Sequence, residues 1–129
     1  MATQTIKAST QAPKITNYPR GDSRLLSFTI FQSDGKTPFD LTGCEVFFTV
    51  NPVTDPGATD SGAVIELSTT SFTNPTSGAA SLTITNADTQ NVTPATYYYD
   101  VQLKDANGNI TSLAQNTFQV IADITRRIS

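Results

Sequence analysis

A protein without histidine lacks the side chain that most often serves as general base, activates a Ser or Cys nucleophile, or ligates a metal. This 129-residue sequence contains none. What reactive chemistry remains rests on the single Cys44, on 11 carboxylates and on the tyrosine run at 97–99. Cys44 belongs to an alternating apolar set with Val46, Phe48 and Val50, and no cation adjoins it. It reads as a small buried filler rather than a thiolate nucleophile. Most carboxylates fall in turns, where Asp serves backbone geometry. Glu45 and Glu66 fall on expected strands, and nothing in the pattern sets them on either side of a cleft, as glycoside hydrolysis needs.

Two further stretches invite a functional reading. Asp105, Asn107 and Asn109 alternate as in a calcium loop, but the glycine is misplaced and residue 116, where the closing glutamate belongs, is Asn. A hairpin turn accounts for the same residues. Arg20-Gly21-Asp22-Ser23 contains the tripeptide of adhesion ligands. At ordinary residue frequencies a chain of this length carries that tripeptide about once in fifty cases. Here it adjoins a strand start rather than a loop tip, so it reads as the lead-in to that strand. The expectation is a protein with no catalytic residues, no metal and no cofactor.

The elements that position these residues are strands. Charged residues make up 15% of the chain and hydrophobic residues 37%, with one Met and only two Glu. Ser, Thr, Asn and Gln fill the rest, which disfavours long helices and suits strands joined by polar loops. A net charge of −3 provides no basic footprint for nucleic acid. The N-terminus has no apolar core of a secretory signal, and no run approaches a membrane span. One cysteine permits no internal disulfide, which fits assembly in a reducing cell interior.

Residues 1–19 are polar and unpatterned, and predict an extended arm ahead of one domain over 20–129. From Arg24 the period is two: Leu26, Phe28 and Ile30 share a face, then Cys44 to Val50 with Phe47 a bulky exception on the outer side. "AVIEL" and "AASLTIT" follow, then "ATYYYDVQL", with Tyr97, Tyr99, Val101 and Leu103 inward and Tyr98 outward. Asp34-Gly35 and Asn107-Gly108 mark tight turns, and the 51–62 segment is a loop. Residues 86–92 predict a single helical turn capped by Asn86. Phe118 and Val120 close the last strand on the core side, and Tyr97 is placed to make a tyrosine-corner hydrogen bond. About seven short strands predict an all-β, immunoglobulin-like antiparallel β-sandwich, with a closed barrel as the rival.

The ordered set Gly21-Asp22, Asp34-Gly35 with Pro38, Asp40-Leu41-Thr42-Gly43, Thr96 to Tyr99 and Asn107-Gly108 resembles the immunoglobulin-like domain of bacteriophage tail and baseplate proteins, the BppU N-terminal-domain family. The resemblance spans residues 20 to 125. Ala95 stands where the family often has glycine, and "AQNTF" lacks the glycine often found before the last strand.

The resemblance implies a non-enzymatic virion protein assembled in the host cytoplasm, a tail, baseplate or tail-fibre attachment component that forms a homo-oligomer and contacts other virion proteins, not nucleic acid or membrane. The interface candidates are Ile6, Ile15 and Tyr18 in the arm, outward Tyr98, and Arg126 and Arg127. On the arm reading, removing residues 2–18 leaves the domain folded. Alternatives are a capsid decoration protein and a module for host surface glycans; the glycan module would use Tyr98 and the 51–62 loop, and the lack of Trp counts against it.

Overall fold

The computed structural model describes residues 2–8, 14–32, 36–52 and 63–122. Asp34-Gly35, most of the 51–62 loop, Arg126 and Arg127 lie outside them. Eight strands make two sheets: β1 (Ala2–Ala8), β2 (Ile15–Pro19), β3 (Arg24–Ile30), β4 (Glu45–Asn51), β5 (Ile65–Thr69), β6 (Ala79–Ile84), β7 (Ala95–Lys104) and β8 (Ile110–Ile121). One sheet has the order β1-β3-β6, the other β2-β8-β7-β4-β5. The fold is the all-β sandwich that the alternation predicts, not a closed barrel.

The inward residues of each strand are those of the period-two pattern. Leu26, Phe28 and Ile30 of β3, Val46, Phe48 and Val50 of β4, and Tyr97, Tyr99, Val101 and Leu103 of β7 are all buried. Phe48 ties the layers together. Its ring stacks on Tyr99 at 5.4 Å, meets Phe118 edge-on at 6.2 Å, and lies 6.4 Å from Phe28 of the opposite sheet. Such contacts add about 0.5–1.5 kcal/mol each beyond area burial. The Tyr97 hydroxyl donates to the Thr93 carbonyl at 2.6 Å, the corner bond expected at the start of β7. Cys44 is buried with the core.

The expected helix cap is corrected. The helical turn α1 (Asn86–Thr89) is capped by Thr85 rather than Asn86. The Asp88 carboxylate accepts from Thr85 N–H at 2.8 Å and from its hydroxyl at 3.1 Å, which fixes Thr85 as the cap of a capping box. Asn107-Gly108 lies in the hairpin turn that it marks: β7 and β8 pair up to Lys104 and Ile110, leaving a five-residue turn. Asp105 organises it, accepting from Asn107 N–H at 2.9 Å and Asn109 N–H at 3.0 Å, while Gly108 alone takes a positive φ.

The largest correction concerns residues 14–19. β2 is an edge strand of the five-stranded sheet, parallel to β8, with Ile15 opposite Phe118 and Tyr18 opposite Val120. The register shifts between them, at Asn17, whose φ is +55°. Asn is among the few residues that tolerate that conformation. The shift lets apolar residues three apart, rather than two, both face the core. Ile15 and Tyr18, expected at an interface, are 1% and 0% exposed. Tyr18 packs on Phe118 at 5.2 Å and under the Arg24 guanidinium at 4.3 Å.

Candidate docking face

The Arg20-Gly21-Asp22 turn joins β2 to β3 and is held from all sides. Arg20 N–H donates to the Ile121 carbonyl, Asp22 N–H to Pro19, Gly21 N–H to the buried Thr89 hydroxyl at 2.9 Å, and the Tyr18 hydroxyl to the Asp22 carbonyl at 2.8 Å. Gly21 has φ +88°, which explains its identity. The tripeptide is a strand junction, and its backbone is committed to the domain.

The residues weighed for catalysis are equally committed. The Asp40 carboxylate accepts from the Thr42 hydroxyl at 2.7 Å and its N–H at 3.0 Å, and these bonds hold it below the usual carboxylate range. Hydrogen bonds from Asn109 and Asn107 do the same for Asp105. Both border an open groove of about 720 Å³ between the end of β3 and the β7–β8 turn. A general acid needs the opposite shift. Burial, with Asp105 and Asp40 nearby, pushes the Cys44 thiol up and away from thiolate. Glu45 lies four residues before Thr49, the partner of Glu66. At about 3.3 Å per residue that is roughly 13 Å along one face, too wide for a glycosidase pair. Among the described residues no group of three or more His, Cys, Asp or Glu could hold a metal.

The outer face of the five-stranded sheet is different in kind. Cross-strand pairing brings outward residues into rows: Asn51–Tyr98–Thr117, Thr49–Asp100–Gln115, Phe47–Gln102–Ser112 and Glu45–Lys104–Ile110. Tyr98 is 36% exposed and Ile110 60%, the two exposed large hydrophobics among the described residues. Both stand on this face, with half-buried Phe47 between them. Around them lie amides and hydroxyls, and three carboxylates (Glu45, Glu66, Asp100) against one ammonium (Lys104). Asn51 is buried, and its Oδ1 has no hydrogen-bond partner among the described residues. Aromatic anchors set among amides and hydroxyls are the composition of protein docking surfaces.

Of the interface candidates whose burial is described, Tyr98 alone is placed in the open. Ile15 and Tyr18 are core, Ile6 lies in β1 opposite Phe28, and Arg126 and Arg127 are outside the described residues. Sequence reasoning marked Phe47 as needing cover but passed over Asn51 and Ile110. The only signal was an apolar residue on the polar phase of its strand, and Asn51 carries no such mark.

No protein-family model matches the chain, and no curated protein matches it. Among solved structures it is similar to the N-terminal domain of phage TP901-1 ORF48, at 16% identity and a TM-score of 0.59, covering 93% of this chain and 98% of that one. The soluble domain of PmoD from Methylocystis sp. ATCC 49242 (Rockwell) aligns at 14% identity and a TM-score of 0.47, over 81% of this chain and 77% of that one. The chain thus has the fold of the phage domain along nearly its whole length.

Proposed function

We propose that this chain is a non-enzymatic structural component of a bacteriophage virion, a tail, baseplate or tail-fibre attachment module that holds neighbouring subunits in place. The reading is supported by the shared fold with a phage domain over 93% of the chain, and by side chains whose reactive groups are spent on turns and core. Its mechanism is docking without bond-making. The rigid five-stranded sheet presents Tyr98, Phe47 and Ile110 as anchors. The partner's matching face would be neutral or basic, since acids outnumber bases here.

Purified particles test the reading directly. Wild-type chain and the double variant Phe47→Ser, Tyr98→Ser are each supplied during phage assembly, and incorporation is measured by mass spectrometry of the particles. The expected result is wild-type chain in the tail and loss of the variant, whose circular dichroism stays that of a folded sandwich. Wild-type chain absent from particles would overturn the virion role. A cryo-electron microscopy map placing it on the head lattice would replace attachment with capsid decoration, and incorporation of the variant at wild-type level would remove the face.

A further inference from the structure

We propose that the groove between the end of β3 and the β7–β8 turn is a second docking site, which receives an arginine side chain carried between apolar residues on a partner protein. The site is separate from the outer face of the five-stranded sheet and does not depend on it. The groove, of about 720 Å³, is an open end of the sandwich. Leu103 of β7 is buried, yet Thr111, its partner on the inward side of β8, is exposed, so the two sheets part at this point. Half-buried Phe31 and Phe39, from the chain that follows β3, wall the groove together with Leu103 and Leu113 of the facing sheet. Leu113 is there because the ladder is interrupted. Val101 pairs with Ala114 and Gln102 with Ser112, so Leu113 is the extra residue of a bulge. The pairs on either side would be consecutive without it. It packs on the core and lines the groove instead, the re-aiming that bulges perform beside functional sites.

Charge selects the occupant. Asp40 and Asp105 border the groove, and no Lys or Arg is among the described residues that line it. Lys104, next to Asp105 in sequence, belongs to the outer row with Glu45 and Ile110. Both hydrogen bonds to the Asp40 carboxylate end on Oδ1, so Oδ2 accepts none among the described residues. The two N–H bonds to Asp105 also end on Oδ1, and its Oδ2 takes only a 3.4 Å contact from the Asn109 side chain. Both carboxylates stay ionised at neutral pH, held there by these bonds. An apolar cleft with an anionic rim suits a side chain with an apolar stem and a cationic tip. Arginine suits it better than lysine, because its planar guanidinium stacks on aromatic rings and forks onto a carboxylate. Clefts of about 300–1,000 Å³ take drug-sized ligands, so there is room for the arginine and the apolar residues beside it.

Nuclear magnetic resonance titration of the full-length, isotope-labelled chain tests the site. The probes are the blocked tripeptide acetyl-Leu-Arg-Leu-amide and the same peptide with citrulline, which keeps the shape of arginine and loses its charge. The arginine peptide is expected to give saturable shifts of the Ile30, Leu103 and Leu113 methyl signals, and the citrulline peptide to bind about fivefold more weakly or worse. Asp40→Asn with Asp105→Asn keeps a hydrogen-bond acceptor in each turn while removing both charges, and is expected to weaken arginine-peptide binding about tenfold. Asp22→Asn with Glu66→Gln removes the same charge away from the groove, and is expected to change binding by about twofold at most in 0.15 M salt. Equal binding of the two peptides, absence of shifts at these methyls, or equal weakening by the two double variants would overturn the proposal. The peptide comparison is made on the natural sequence, so it decides the matter even where a variant fails to fold. Particle incorporation tests the virion reading separately.

Discussion

Two truncations separate the loss of the edge strand β1 from the loss of β2, whose Ile15 and Tyr18 are in the core. Removing residues 2–13 takes away β1 and leaves β2. Removing residues 2–18 takes away Ile15 and Tyr18 as well, both essentially without solvent exposure. Full burial of each contributes about 1.5–3 kcal/mol. The Tyr18 hydroxyl bond to the Asp22 carbonyl adds about 1 kcal/mol, and the Arg24 guanidinium over its ring about 0.5–1. The sum is roughly 5–8 kcal/mol before any cavity beside Phe118 is counted. A domain of this size has about 5–15 kcal/mol in all. The shorter deletion loses the β1–β3 ladder and leaves Ile15 and Tyr18 in place. With a urea slope of about 1–3 kcal/mol/M, the longer deletion lowers the unfolding midpoint by roughly 2–8 M relative to the shorter, or prevents folding. The chain has no Trp, so far-ultraviolet circular dichroism and tyrosine fluorescence are the probes. Midpoints within about 0.5 M of each other would refute the placement of β2 in the core.

Gly78 and Gly108 both have positive φ, but an added Cβ at Gly78 would strike the Ile30 carbonyl oxygen, whereas at Gly108 it meets open space. Chemical denaturation is expected to show Gly108→Ala costing about 1–2 kcal/mol, the backbone term alone, and Gly78→Ala roughly 2 kcal/mol more; equal costs would count against the close approach of Gly78 to β3. Burial pushes the Tyr99 hydroxyl up to about 12 and raises Tyr18 also. Because the folded pKa lies above the unfolded value near 10, their contribution is complete below about pH 10 and is lost as pH rises toward the folded values. Stability is therefore expected to fall from about pH 10 upward in urea titrations, and a flat profile from pH 9 to 12 would contradict the burial of these rings.

Strands β3, β4, β6, β7 and β8 were legible because each is half-buried, and burial on one side of a pleated strand writes itself as alternation. Leu26-Phe28-Ile30 and Tyr97-Tyr99-Val101 are inward for that reason, and the corner bond of Tyr97 followed from its place at the start of β7. The turn at Asp105 was legible in kind but not in length, since Asp side-chain bonding and an Asn-Gly dipeptide both suit more than one loop. The adhesion-like tripeptide was legible as a lead-in from its position alone, although its hydrogen bonds to Thr89 and Ile121 span the fold.

Residues 2–19 were the failure. Local order alone determined that the chain is an all-β sandwich, because alternation is a property of neighbours in sequence. Tertiary structure decided which strands sit at the edges and where the first one begins. Ile15 and Tyr18 are three apart, a spacing that matches no strand until Asn17 takes its left-handed conformation, and that conformation is held only by pairing with β8, a hundred residues away. The docking face has the same origin. Phe47, Tyr98 and Ile110 come from three different strands, and only the register among β4, β7 and β8 gathers them onto one surface.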